Sequence, residues 1–223
     1  MPALLYPYLP WLVSFSSTLM RDLFLPIIKY TVAEMTTHGY LTEMAALLLE
    51  LPTPEIDSAI ELFWENYRTR RRVVFCGNGG SAATASHLPA DFQKNMFLHG
   101  GTPWECLSLV DSVPLLTAWG NDTEYAEVFA GQAKTWLRPG DLLVAISGSG
   151  NSPNILAAVE AAHACGAVTL GWSGFDGGKL ARLAQHRVVV PKHNMQMVED
   201  AHVVLGHLIY CALRDRLLAE TVF

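Results

Sequence analysis

The sequence predicts an α/β fold: a three-layer sandwich with a five-stranded parallel sheet and an N-terminal helical extension. Three observations point there. Hydrophobic residues make up 51% of the 223 residues and charged residues only 16%, enough apolar material for a large core and too little charge for a mainly disordered chain. From Arg21 to Arg72 apolar residues recur at three- and four-residue steps, the spacing of helices with a buried stripe. After Arg72 the period changes to short, wholly apolar runs alternating with helical segments, as in parallel strands covered on both faces.

The elements follow in order. Residues 1–20 are apolar but interrupted by Pro2, Pro7 and Pro10, so they read as an irregular arm. Residues 21–223 then form one domain. Its first helices carry Leu23, Ile27, Ile28 and Met35, then Leu41, Met44, Ala45, Leu48 and Leu49. Thr53 is the expected N-cap of the next helix, with Pro54 at its first position and Ile56, Ile60, Phe63, Trp64 and Tyr67 on its inner face. The run Arg68 to Arg72 reads as a solvated helix end whose charge complements the macrodipole. Strands are expected at 73–76, 105–110, 141–146, 167–172 and 187–190. Helices are expected from Ser81 and from Pro153, and a long one from Met195 to Leu218.

Composition narrows the function. The net charge of -6 argues against nucleic acid, whose binders show a basic footprint. The N-terminal apolar stretch is too broken for the ~20 residues of a membrane span and has no charged leader or small-residue cleavage site. Cys76, Cys106, Cys165 and Cys211 show no CxxC spacing, so they are expected as reduced, buried thiols of a cytoplasmic protein.

Two strands are expected to end in unusual loops. One is Gly77-Asn78-Gly79-Gly80-Ser81; the other is Ser147-Gly148-Ser149-Gly150-Asn151-Ser152. Each leads into a helix. Glycines let backbone N–H groups approach an anion, the helix N-terminus adds a positive dipole, and serines add uncharged donors. Together they make a phosphate cradle suited to an acidic chain. Gly77, Gly79 and Ala82 also match the loose G-x-G-x-x-A dinucleotide pattern. The acidic partner expected about 20 residues on is missing, Asp111 lying 34 residues after Gly77, and no GK[ST] follows to make a Walker loop.

His87 and Asp91 stand four apart, on one face of the helix after the first loop. Glu199, His202 and His207 stand among apolar residues on the last helix. Two histidines and two carboxylates, His87, Asp91, Glu199 and His207, form an adequate tetrahedral set for zinc.

Four segments carry a resemblance: FCGNGGSAATASH (Phe75 to His87), WGND (Trp119 to Asp122), ISGSGNSPNIL (Ile146 to Leu156) and DGGKLA (Asp176 to Ala181). They resemble the sugar isomerase (SIS) domain, and within it the bacterial phosphoheptose isomerases, over about Ala45 to Leu218. The resemblance implies a flavodoxin-like, five-stranded parallel sheet between helices. It implies a homotetramer with sites at subunit interfaces and isomerisation of sedoheptulose 7-phosphate to the aldose heptose 7-phosphate through an enediol. It implies sugar-phosphate binding by Asn78, Gly79, Ser81, Asp111, Asn121, Ser147, Ser149, Asn151, Ser152 and Glu199. It places the catalytic pair at Asp91 as base and His207 as acid, and in some members zinc at His87, Asp91, Glu199 and His207. Two positions depart from the family: Asp91 stands for Glu and Glu199 for Gln, and Pro89 sits inside the catalytic helix, where it removes a backbone bond. A different class of function, a phosphosugar-binding module acting as sensor or assembly adaptor, is the alternative. Retention of His87, Asp91 and His207 speaks against it.

Overall fold

The computed structural model describes residues 35–221. The chain divides into two compact units, Met1–Leu41 and Thr42–Phe223. The expected arm, and the expected helix over 21–34, lie outside the described residues. The boundary between the units falls within helix α1 (Thr37–Leu49), and every later element belongs to the second unit.

Helix α2 (Thr53–Arg68) buries Ile56, Ile60, Phe63, Trp64 and Tyr67, as the periodicity requires. Its start differs from expectation. Pro52 is the cap residue, and the Thr53 hydroxyl turns back to donate to Leu51 O at 3.5 Å instead of capping. Its end differs too. The helix stops at Arg68, and Arg70 adopts the left-handed conformation (φ 56°). Arg71 donates to Pro139 O at 3.0 Å, and Arg72 pairs with Glu105 and Asp141. The arginine run is therefore partly spent tying α2 to the starts of the strands.

The sheet comprises β1 (Val73–Gly77), β2 (Cys106–Ser108), β3 (Leu142–Ser147), β4 (Val168–Ser173) and β5 (His186–Val189), all parallel, in the order β2-β1-β3-β4-β5. Boundaries shift by a residue or a few. β3 starts one residue late because the Asp141 carboxylate accepts the N–H groups of Arg72 (3.0 Å) and Arg138 (2.8 Å), closing the turn before the strand. β2 is the shortest, although Val73 N–H donates to Glu105 O and Leu109 N–H to Phe75 O on either side of it.

β1 and β3 are buried on both faces, which explains their unbroken apolar runs, whereas the edge strand β5 exposes Arg187. One face, with Val74, Cys76, Leu143 and Ala145, packs on α5 (Ala130–Trp136) and α6 (Pro153–Ala164) through Phe129, Ala133, Ile155, Ala158 and Val159. The other carries an aromatic cluster. Phe63 stacks on Phe92 with centroids 4.9 Å apart, and Trp104 meets both rings edge-on. Further helices include α3 (Gly80–Pro89), α4 (Val113–Asp122), α7 (Leu180–Leu183) and the long α8 (Met195–Thr221). Cys76 and Cys106 are buried and Cys165 and Cys211 half-buried, so only two of the four thiols are core residues. Burial raises the Cys76 thiol to about 12, which makes it inert. Among the described residues no helix is long and apolar enough to cross a membrane.

α8 buries His202 completely against Trp172 and β4. Its Nε2 lies 3.3 Å from Ser173 O. Burial pushes its pKa from 6.5 down to about 4, against a smaller upward pull from that carbonyl. The unfolded chain thus binds the proton more readily than the native one, so stability falls as pH drops from 6.5 towards 4. At 1.36 kcal/mol per unit the loss is roughly 3 kcal/mol. Melting temperatures measured between pH 7.5 and 4 should fall most steeply in that window, and His202→Gln should flatten the slope.

Candidate active site

The strand order reverses between β1 and β3: the chain steps outward from β1 to β2, then returns to the far side of β1. At such a switch point the loops leaving the two neighbouring strands diverge and open a crevice beyond their carboxyl ends. The two strands are those that end in the glycine- and serine-rich loops, and Gly77 is in register with Ile146. The N-termini of α3 and α6 follow directly, so both helix dipoles begin at the crevice.

Local chemistry shapes each loop. Gly77 turns tightly enough that a Cβ would lie 2.4 Å from Ser81 O. Gly150 has φ +64° and sits against Gly177 O, where a Cβ would lie 2.1 Å away. Ser81 and Ser147 are buried, and the hydroxyls of Ser147 and Ser152 lie 3.2 Å apart. Ser149 Oγ accepts from Asn151 N–H at 3.2 Å. The Asn151 side chain folds back on its loop: it donates to Ser149 O at 2.8 Å and accepts from Lys179 N–H at 3.1 Å.

Asn78 joins the two loops. It donates to Asn154 Oδ1 at 2.8 Å, and Asn154 donates back at 2.9 Å. Tyr125 donates to Asn78 Oδ1 at 3.1 Å. Neither Asn154 nor Tyr125 stands out in the sequence. Asn154 is the second residue of α6, and its partner is 76 residues away.

The second part of the site lies where α3 meets α8. His87 Nε2 and His207 Nε2 are 2.8 Å apart, so one ring donates to the other, and the rings are nearly perpendicular. Asp91 Oδ2 lies 3.4 Å from His87 Nε2 and 3.5 Å from His207 Nε2. Asn95 donates to Asp91 Oδ1 at 2.9 Å, which leaves Oδ2 to the histidines. Both histidines are half-exposed and Asp91 is mostly covered. These three side chains form a group able to hold a metal ion.

Glu199, the fourth expected member, is not in that group. Its carboxylate lies against Gly80, where a Cβ would come within 2.2 Å of Oε2. Met195 on the same helix presses on Gly148. The first turns of α8 thus cover both loops, and its middle carries His207. Asp111 accepts from Ser86 at 2.5 Å, beside His87, and Asn121 is exposed and donates to Asp122 at 2.8 Å. Neither makes a hydrogen bond to the loops.

Gly206 is what lets the helices meet. A Cβ there would lie 2.3 Å from Leu88 Cδ2, and Leu88 is fully buried. Leu88 follows His87 and Gly206 precedes His207, so this contact sets the histidine separation. Gly206→Ala should overpack the junction and cost about 1–3 kcal/mol, read as a lower urea midpoint.

A doubly wound parallel sheet with two anion-ready loops at its switch point, and a His–Asp–His cluster beside them, defines an α/β protein built to receive a phosphorylated ligand. The chain belongs to the SIS domain family, whose model matches residues 39–174. Relatives that this chain resembles include phosphoheptose isomerases. One from Nitratidesulfovibrio vulgaris is 43% identical over 152 residues, 68% of this chain and 72% of the relative. The solved phosphoheptose isomerase from Neisseria gonorrhoeae superposes with a TM-score of 0.73 at 29% identity, covering 79% of this chain and 95% of the other. The one from Francisella tularensis gives 0.75 at 27% identity, covering 80% and 96%.

Proposed function

We propose that this chain is an aldose–ketose isomerase that converts sedoheptulose 7-phosphate to D-glycero-D-manno-heptose 7-phosphate through an enediol. The observation that carries the reading is the convergence of Asp91 Oδ2 with His87 and His207 beside a cradle of uncharged donors. The relatives, named phosphoheptose isomerases, support the same activity. The alternative of a non-catalytic sensor or adaptor is not favoured, since such a module needs only the cradle.

The roles follow from position. Hydroxyls of Ser81, Ser147, Ser149 and Ser152, with N–H groups at Gly79 and the starts of α3 and α6, hold the phosphate. They do so without cations, which suits a chain of net charge -6. Asn78 and Asn151 serve the substrate by holding the loops in shape. Glu199, against Gly80 of the first loop, together with Asp111 and Asn121, serves the sugar hydroxyls. Asp91 moves the proton between C1 and C2, and His207 exchanges a proton with the oxygens.

The donor set also fits zinc. A tetrahedral ion with ligands at ~2.0–2.1 Å sets them about 3.3 Å apart. The separations of 2.8, 3.4 and 3.5 Å bracket that value. Glu199 lies outside the group with its carboxylate against Gly80, and His87, Asp91 and His207 would hold the ion. When bound, it supplies Lewis acidity to the sugar carbonyl.

The protein works as a homotetramer with the site at a subunit boundary. Val204 and Leu208 flank His207 on the exposed side of α8, and Phe97, Leu98 and Leu49 are exposed as well. Such apolar surface is normally covered by a partner. Cytoplasmic location is consistent with four free thiols.

Ser149→Ala should weaken sugar-phosphate binding by about 1.5 kcal/mol or more, measured by calorimetry, as for a hydrogen bond to a charged group. Asp91→Asn should lower turnover by ~100-fold or more while binding survives, because the cradle supplies most of the affinity. Wild-type turnover in Asp91→Asn and in His207→Ala would overturn the assignment.

A further inference from the structure

Pro89 is the last residue of α3, two positions after His87 and two before Asp91, which lies in the turn that follows. A proline inside a helix has no N–H to give, and its ring opposes the carbonyl four residues back, here that of Ala85. Helical winding continues past it. Pro89 (φ -54°, ψ -32°) and Ala90 (φ -64°, ψ -39°) both keep helical angles. The ladder is rearranged instead. Ala90 N–H reaches back only to His87 O and Leu88 O, and residues Ala90–Asn95 then form a wide π turn before Met96–Leu98 resumes the α-helix.

The wide turn matters for one side chain above all. In a regular helix each residue advances 100° about the axis, and closing the ring over five residues instead of four changes that advance. Residues after Pro89 therefore sit on the order of tens of degrees away from their regular azimuth. Asp91 is the second residue of the wide turn, and Asn95, which holds its Oδ1, is the last. Both ends of that hydrogen bond are set by the same rearranged backbone. Aspartate has a single methylene, so its carboxylate can move little to compensate for a displaced Cα. Reach here must come from the main chain.

We propose that Pro89 is a positioning residue: the wide turn it imposes delivers the short carboxylate of Asp91 to His87 and His207. Proline and aspartate then act as a matched pair. A regular helix at this point would require the longer glutamate to span the same gap. The metal and activity parts of the test rest on the proposed function; the geometric part does not.

The test uses the full chain and the variants Pro89→Ala, Asp91→Glu and the double variant. Alanine favours a regular helix, so Pro89→Ala should fold at least as well as wild type. Its crystal structure should show a regular turn, with Asp91 Oδ2 withdrawn from both histidines. Titration with Co(II), followed by its visible absorption, should show affinity reduced ~10-fold or more, the scale for a lost orienting contact. Turnover of sedoheptulose 7-phosphate should fall with KM unchanged. Asp91→Glu alone should also lose affinity, because the longer arm overshoots from the wide turn. The double variant should recover Co(II) binding and turnover to near wild type, a rescue that simple damage to the helix would not give. Persistence of the wide turn in Pro89→Ala, or a double variant no better than Pro89→Ala, would overturn the proposal. Absence of Co(II) binding and isomerisation in wild type would instead overturn the function, and the crystal structures would still decide the role of Pro89.

Discussion

The structure depends on the parallel pairing of β1 with β3. Those strands are far apart in sequence, yet Val73 to Gly77 align with Leu142 to Ile146 without a break. Because β2 lies on the other side of β1, this pairing creates the switch point. Two loops that are separate features of the sequence become the walls of one crevice. The mutual amide bonds of Asn78 and Asn154 hold the walls together just beyond the sheet. A loop rich in glycine would otherwise be costly to order, since glycine loses the most backbone freedom on folding.

A second constraint sits where α3 crosses α8. Reactive side chains on different helices can meet only if the backbones approach closely, and here a glycine facing a buried leucine permits it. α8 then serves both halves of the site. Its first turns cover the loops through Met195 and Glu199, and its middle supplies His207. Any movement of α8 would therefore disturb cradle and proton-transfer groups together. His202 buries its ring between them and ties the helix to the end of β4.

Charge is distributed to match. Arg71 and Arg72 work at the opposite edge of the sheet, where they join the ends of α2, β2 and β3. Besides the Glu199 carboxylate against Gly80, the crevice is left with hydroxyls, backbone N–H groups and helix dipoles. Such donors attract an anion without the large desolvation cost of buried lysine or arginine.

Much was legible in the residues themselves. The five apolar runs, the two Gly/Ser loops and the His87–Asp91 spacing depend on local rules of period, turn chemistry and helix geometry, and each emerged in place to within a few residues. What the sequence could not decide involves distant partners. Asn154 and Tyr125 gain meaning only through Asn78, and Thr53 looked like a cap until its hydroxyl turned to Leu51. Glu199 illustrates the limit best. Its spacing from His207 allows both to point to one side of α8, yet two turns of helix carry its carboxylate to Gly80 rather than to His87 and Asp91. The sequence by itself determined the layers, the loops and the residue types of the site. The tertiary structure alone decided which groups touch, because that is set by the crossing of helices and the switch in strand order, and these are relations between segments that no local pattern encodes.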